Sequence, residues 1–388
     1  MRTRPAPAVV LGAGVNLIEV LRALALAGVP TATVAPGHDA ARLSRHSTVV
    51  ATVEWSDPGA PAGDRAVLDR LLAWAGTQPA PPPLLFTSDE ALLFVSRHRA
   101  ELASAFRFAI AGADSVQAMV DKARFAPLAE GLGLPVPATR IATAAGDVPP
   151  GVAHLGFPLI VKPYRRDRAW HAAVRTPEKA TLVADQEELS RLWVRLATLP
   201  TPVVLQACVA GPESRIESYH VYVDEGGTVA AEFTGRKIRT LPAAYGHTTA
   251  LAITDTPDVL DCGRKLVRAL GLRGVAKADF KRAPDGTLFL LEVNPRFHLW
   301  HHPGALAGVN IPAIVYADLT DQARPAAQRA CPGVRWVHPR DVLAARAAGV
   351  PPWRWLRWAR GCEAKAFWAW NDPLPLIGAV ASRLSPGH

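Results

Sequence analysis

The sequence predicts a doubly wound α/β domain followed by α+β lobes, and three observations carry that expectation. An apolar strand at residues 8–11 runs through Gly12-Ala13-Gly14 into a helix-like segment ending near Ala27, and a second strand follows at 31–34. This order, with a glycine turn, belongs to parallel sheets. Two later stretches read as antiparallel hairpins: 218–223 with 228–233 around Asp224-Glu225-Gly226-Gly227, and 275–282 with 287–294 around Pro284-Asp285-Gly286. The 388 residues suffice for two or three domains with real cores.

Composition narrows the function classes. The chain is 49% hydrophobic and 20% charged, as globular proteins are. No apolar run reaches about 18 residues, and the basic N-terminus leads straight into a β-like stretch, so neither a transmembrane helix nor a signal peptide is expected. Cys208, Cys262, Cys331 and Cys362 lie far apart without CxxC spacing, which argues against a zinc site or a disulfide framework. A reduced, cytoplasmic protein is expected. The net charge of +9 is spread mostly as arginine, without a basic block or a nucleic-acid motif. Small phosphorylated or carboxylate ligands account for it, and no nucleic-acid partner is expected.

Taken in order, the first glycine turn lacks the third glycine of a dinucleotide fingerprint, since Leu17 stands there, and no acid closes the second strand. It reads as a tight structural turn. A second α/β unit has a strand at 84–86, then Thr87-Ser88-Asp89-Glu90 and a helix into the 90s. Asp89 reads as a helix cap or first-turn acid, although it stands at a strand's C-terminal end, where α/β sites form. Residues 114–139 carry a helix with Met119, Phe125 and Leu128. It stops at Gly131 and Gly133 before an extended exit set by Pro135 and Pro137. Lys122 on it, taken alone, is an exposed helix lysine. The strand ending Ile160-Val161-Lys162-Pro163 delivers Lys162 where a cation can neutralise phosphate, although a lone lysine there is usually just solvated. Val203-Val204-Leu205-Gln206-Ala207-Cys208-Val209 runs to Gly211-Pro212-Glu213, and Cys208 reads as a small apolar residue. After the first hairpin come Gly235-Arg236-Lys237-Ile238-Arg239 and the loop Tyr245-Gly246-His247; a helix at 259–270 precedes the second hairpin.

That second hairpin is the richest stretch. Strand alternation puts Ala276, Ala278 and Phe280 on one face and Lys277, Asp279 and Lys281 on the other. On the second strand it separates Phe289, Leu291 and Val293 from Glu292 and Asn294. With a two- or four-residue loop, Asp279, Glu292 and Asn294 share a face; a three-residue loop would break the arrangement. Two carboxylates and an amide oxygen are hard ligands suited to Mg²⁺ on phosphates. For the hairpin alone, a solvated outer face is the competing explanation.

Asp279, Glu292 thirteen residues on, then Asn294 and Arg296, resemble the metal-binding hairpin of the ATP-grasp enzymes. The Asp121-Lys122 helix with Gly133-Leu134-Pro135-Val136-Pro137, the Gly156–Pro163 strand, the Gln206–Glu213 linker and the Thr87-Ser88-Asp89-Glu90 turn fall in that family's order. The resemblance spans residues 8–315. It implies an ATP-grasp fold with an N-terminal Rossmann-like domain (1–115), a lid lobe (116–206) and a lobe bearing the metal hairpin (207–325). It implies that Lys122 and Lys162 reach ATP phosphates, that backbone groups of Ala207 and Val209 read adenine, and that Glu213 takes the ribose hydroxyls. Gln206 replaces a commoner glutamate, and its amide oxygen can still accept from the adenine amine. Tyr164-Arg165-Arg166-Asp167-Arg168-Ala169-Trp170-His171 departs from the glycine-rich phosphate cover often found in the family.

The basic cluster and glycine loop resemble the branch containing D-aspartate ligase and related carboxylate–amine ligases. There Arg236 and Lys237 would face the transferred phosphate, and Arg296 with Lys277 would stabilise phosphate and oxyanion. Asp89, Gly246, His247 and His298 would belong to the substrate pocket. The implied reaction is ATP-dependent activation of a carboxylate as an acyl phosphate, captured by an amine or thiol. Its cofactors are ATP and Mg²⁺, with Mn²⁺ as the alternative ion. Carboxylation, phosphoryl transfer and a non-catalytic, membrane-peripheral nucleotide-binding protein are the rivals. His298, His301 and His302 are expected at the acceptor pocket or its rim rather than on a metal. The tail (326–388) is tryptophan-rich; its segment 351–358 forms a basic aromatic helix that either lies at a membrane surface or packs on the body. A homo-oligomer is left open.

Overall fold

The first strand, β1 (Ala8–Leu11), is apolar at every position and buried at every position, as a central parallel strand must be. The computed structural model describes residues 6–55, 63–142, 148, 152–163, 170, 180–197, 199, 202–326 and 329–384. After β1 come α1 (Gly14–Leu26), β2 (Thr31–Ala35), β3 (Ser47–Thr52), α2 (Asp64–Ala75), β4 (Leu84–Phe86), α3 (Asp89–Arg97) and α4 (Arg99–Ala103). The four strands form a parallel sheet in the order β3-β2-β1-β4. Gly12 sits at φ +146°, and a Cβ there would come within 1.9 Å of the Thr87 hydroxyl. The carboxylate of Asp39 accepts from Gly14 N–H at 2.6 Å. The turn is thus structural, and this helix N-terminus already holds an anion.

The expected helix around Lys122 is two: α5 (Ala113–Val120) and α6 (Lys122–Gly131). Asp121 stands between them in extended conformation and accepts from Ala123 and Arg124 N–H at 2.9 and 3.1 Å. A side chain that caps one helix ends the other. Then follow β5 (Thr139–Ala142), β6 (Leu159–Pro163), β7 (Thr181–Val183), α7 (Gln186–Leu196) and β8 (Val203–Ala207), whose strands form an antiparallel sheet in the order β5-β8-β6-β7. Of the arginine-rich loop read from the sequence, only Trp170 lies among the described residues, buried in this lobe's core.

The remainder is β9 (Ile216–Val223), β10 (Val229–Leu241), β11 (His247–Thr254), α8 (Pro257–Leu270), β12 (Gly274–Arg282) and β13 (Leu288–Asn294). After these come α9 (His301–Leu306), α10 (Ile311–Leu319), β14 (Arg335–Val337), α11 (Asp341–Ala347), α12 (Pro352–Arg360), β15 (Ala364–Lys365) and α13 (Leu374–Leu384). They build a seven-stranded sheet, β13-β12-β9-β10-β11-β14-β15, so the tail supplies two of its strands. One core joins β1 and β4 to β9, β12 and β13, through Leu11, Phe86, Tyr219, Phe280 and Leu290. It also takes in Val116, Met119, Phe125 and Ala129 from α5 and α6, at the start of the expected lid lobe. A second core joins the other face of the N-terminal sheet to Phe233, Trp300 and Trp336. The β5–β8 lobe has its own core, with Leu159, Val161, Leu189, Trp193 and Leu205.

Candidate active site

The β12–β13 hairpin closes at Ala283 and Thr287, whose N–H to carbonyl bond is 2.8 Å, leaving a loop of Pro284, Asp285 and Gly286. Three residues alone would turn the acids to opposite faces. A β-bulge restores them: Phe280 pairs with Leu290, but Asp279 pairs with Glu292 and Lys277 with Asn294. The bulge also changes the apolar set. Leu288, Leu290 and Val293 are buried, whereas Phe289 and Leu291, expected on that face, are half-buried.

Asp279 is buried at 1% exposure and fully engaged. The Ser218 hydroxyl donates to one oxygen. Lys277 Nζ lies 2.7 Å and Lys237 Nζ 3.4 Å from the other. Burial alone would raise this carboxyl; the ammonium groups of Lys277 and Lys237 and the Ser218 hydroxyl overcome it and hold Asp279 well below the usual carboxylate range. Burial works against the charge of Lys237 too, but Asp279, Glu292 and Glu213 raise it. Three carboxylates therefore surround one cation. Asn294 donates to Glu292 at 3.1 Å, and Lys281 lies 3.4 Å from Glu213. Asp279, Glu292 and the Asn294 amide oxygen are adjacent hard oxygen donors on a rigid sheet, and they fit a Mg²⁺-type ion. Among the described residues no group of three or more His, Cys, Asp or Glu side chains could hold a metal by itself.

The β5–β8 lobe carries a cation of its own. Lys162 donates to the Gln206 amide oxygen at 2.7 Å, and the Gln206 amide donates to Thr139 at 2.9 Å. The oxygen expected to meet adenine thus already accepts from Lys162. The Ala207 N–H bonds the Ala138 carbonyl at 2.9 Å, so it is not open to a base. Val209 follows in the linker that leads to Glu213. Lys122 opens α6, half-buried.

Arg296 reaches the N-terminal domain, where its Nε donates to Asp89 at 2.6 Å and its Nη1 to the Thr87 carbonyl at 3.4 Å. Ser88, not Asp89, caps α3, accepting from Ala91 N–H at 3.2 Å. Asp89 is the first-turn acid and is brought to the end of the metal-type hairpin.

The other expected site residues differ in their settings. Arg236 pairs in register with Glu217, which pairs with Phe280, so it lies on the face opposite Asp279 and Lys237. Neighbours in a strand cannot share a face. His298 is buried, not at a rim, with its Nε2 3.3 Å from His220 Nδ1. Burial, then the neighbouring imidazoles and Lys277, push His298 far below its usual pKa. His301 is buried beside it, and His302 pairs with Glu19 at 2.6 Å. His247 opens β11, exposed. Gly246 has a packing reason: a Cβ would meet the Pro242 carbonyl oxygen at 2.0 Å. Arg239, the last residue of the basic cluster, is tied to buried Asp341 by contacts of 2.6–3.0 Å.

Sequence reasoning missed Ser218, which reaches Asp279 only through the β9–β12 register. Lys281 was visible on the right face but was given no role.

Comparison with known proteins bears on the same region. Residues 223–340, which contain the whole hairpin, match the family described as ATP-grasp in the biosynthetic pathway with Ter operon. The chain is 28% identical over 220 residues to a D-alanine–D-alanine ligase of Ectopseudomonas mendocina, covering 52% of this chain and 65% of that protein. It thus spans about two thirds of that relative's length, and 54% of a second such ligase from Stutzerimonas stutzeri, at 27% identity over 45% of this chain. In fold it is similar to an N5-carboxyaminoimidazole ribonucleotide synthetase solved with ADP, at TM-score 0.63 and 13% identity over 86% of this chain and 82% of that one. It is also similar to the biotin carboxylase of Campylobacter jejuni solved with an ATP analogue, at TM-score 0.62 and 13% identity over 84% and 74%. Shared architecture, a family match across the bulged hairpin and ligase relatives agree with the geometry: this chain has an ATP-grasp fold, and its residues 223–340 match an ATP-grasp family.

Proposed function

We propose that this protein is an ATP-dependent ligase that activates a carboxylate as an acyl phosphate and couples it to an amine, with a thiol as the alternative acceptor. The observation that carries the reading is the Asp279–Glu292–Asn294 face, interleaved with Lys237, Lys277 and Lys281. Hard anions and cations side by side suit a polyphosphate that arrives with its own cation. Asp279, Glu292 and Asn294 would hold Mg²⁺, or Mn²⁺ in its place, which when bound neutralises β- and γ-phosphate charge.

The chain's own groups then have distinct tasks. Lys162 and Lys122 bind phosphate oxygens, while Val209, Glu213 and a backbone group of Ala207 other than its N–H hold the nucleoside, joined by the Gln206 amide oxygen once Lys162 turns from it to phosphate. Lys277 and Lys237 draw the γ-phosphate to the hairpin. A substrate carboxylate oxygen attacks the γ-phosphorus, and the bond to ADP breaks. The amine nitrogen then attacks the acyl carbon, phosphate leaves with the electron pair of the C–O bond, and the nitrogen gives up its proton to solvent. Arg296, held by Asp89, orients the acid next to Lys277, which faces the developing oxyanion. No side-chain nucleophile is required.

The test is Mg²⁺-dependent ADP release with pooled carboxylic acids, each with and without pooled amines. Release that needs both supports the ligase. Release with bicarbonate alone would move the chain to the carboxylation chemistry that the names of its structural neighbours describe. ATP binding without turnover in any pool would favour a binding protein.

A further inference from the structure

The tail's tryptophans divide by face. On α12, Trp355 Nε1 donates to Asp341 at 2.9 Å, and Trp358 lies under the Arg239 guanidinium at 4.3 Å. Ala359, Trp355 and Trp358 pack with Val337 and Cys362. Asp341 is itself held by Arg239 and by Thr249 at 2.8 Å. That side is a rigid mount.

The opposite side is different. Trp353 is 62% and Leu356 46% exposed, one helical turn apart, with Arg354, Arg357 and Arg360 exposed among them. The adjoining helix α11 adds Leu343 at 53%, with Val342 and Arg346 also exposed. Trp353, Arg354 and Arg357 border, with Arg335, Trp358 and Gly361, an open hollow of about 530 Å³. Between Asp341 and Glu363 the sequence has no acid but carries four arginines.

We infer that the outer face of α11 and α12 docks on an anionic membrane surface, with Trp353, Leu356 and Leu343 entering the headgroup–acyl boundary and the arginines facing lipid phosphates. Both parts are needed. Arginines without acids select an anionic partner, and aliphatic side chains between them select an apolar phase. A single-stranded nucleic acid would match the arginines and Trp353 but gives Leu343 and Leu356 nothing to stack upon. Binding is interfacial, because no helix among the described residues is long and apolar enough to cross a membrane. The inference does not depend on the ligase reading.

The experiment is cosedimentation of the full chain with vesicles of phosphatidylcholine mixed with phosphatidylglycerol, against phosphatidylcholine alone. Binding is expected only with the anionic lipid, weakened about fivefold for each of Arg354→Gln and Arg357→Gln. The pair Trp353→Ser and Leu356→Ser should abolish it while thermal melting and far-UV circular dichroism stay as in the parent. Trp353→Phe should remove the blue shift in fluorescence that anionic vesicles induce. Equal binding to neutral vesicles, full binding by the Trp353/Leu356 variant, or retention of an oligonucleotide without vesicle binding overturns the inference.

Discussion

The β5–β8 lobe and the rest of the molecule solve the same folding problem differently. The lobe closes a small antiparallel sheet over a core of its own, around Leu159, Trp193 and Leu205. In the body, one core runs from Leu11 and Phe86 in the parallel sheet to Tyr219 and Phe280 in the large one. Buried polar links extend that union to the tail: Trp336 donates to Glu19 in α1 at 2.9 Å, where His302 also pairs at 2.6 Å, and Asp372 accepts from the Ser44 hydroxyl at 3.0 Å and from Arg45 N–H at 2.9 Å. A separate core permits motion as a unit, whereas a shared core forbids it. The cations are divided the same way, Lys162 on the lobe and Lys237, Lys277 and Lys281 on the body. A polyanion bound between them would pull one unit onto the other.

The largest effect is expected at Asp279. Asp279→Asn removes the carboxylate that Lys277 and Lys237 share, leaving Lys237 with Glu292 and Glu213, and should cost about 3–5 kcal/mol, read by denaturant unfolding of the body. Its pH dependence has a definite sign. The native carboxyl is depressed, so its contribution is complete above the ordinary value of 3.8 and is lost as pH falls through the lower native one. The gap between parent and Asp279→Asn should be level at neutral pH and close only under acid. Lys237, raised from 10.5, behaves oppositely: its contribution is present below that value and lost at higher pH.

Of similar size is a pair that would break the comparison outright. Phe280→Ala and Trp193→Ala each remove a buried ring at about 3–5 kcal/mol. In calorimetry the first should lower the transition of both body sheets together; the second should lower a lobe transition and spare the body. One common transition lowered by both would show that the lobe is not separate.

Smaller in stability but large in turnover is Glu292→Gln. Glu292 is exposed, so melting should shift by less than about 0.5 kcal/mol, while ATP turnover falls about 100-fold or more. Lys162→Met, which removes one charge-assisted contact from the lobe side, should raise KM for ATP about tenfold with a smaller change in kcat.

Much of this was legible because alternation and spacing are local. The strand at Ala8–Leu11, the turn at Gly12 and the face shared by Lys277, Asp279 and Lys281 all follow from a few adjacent residues. What escaped was set by pairing across distance. The bulge that rescues the three-residue loop depends on the β12–β13 register, and Ser218 meets Asp279 only because β9 lies beside β12. Arg236 takes the opposite face because its neighbour Lys237 takes the face of Asp279. The histidines after Arg296 were expected at the acceptor pocket or its rim, yet His298 and His301 are buried, and His298 meets His220, on which Phe233 stacks and Trp300 leans. Asp121 looked like helix interior but ends one helix and caps the next.

Hydrogen exchange with and without Mg²⁺-ATP tests the central claim, that nucleotide is clamped between lobe and body. Slower exchange is predicted on both sides at once, in Leu159–Pro163 and Val203–Ala207 of the lobe and in Gly274–Arg282 and Leu288–Asn294 of the body. Protection confined to one side, or found instead at the Gly12 turn, would contradict it.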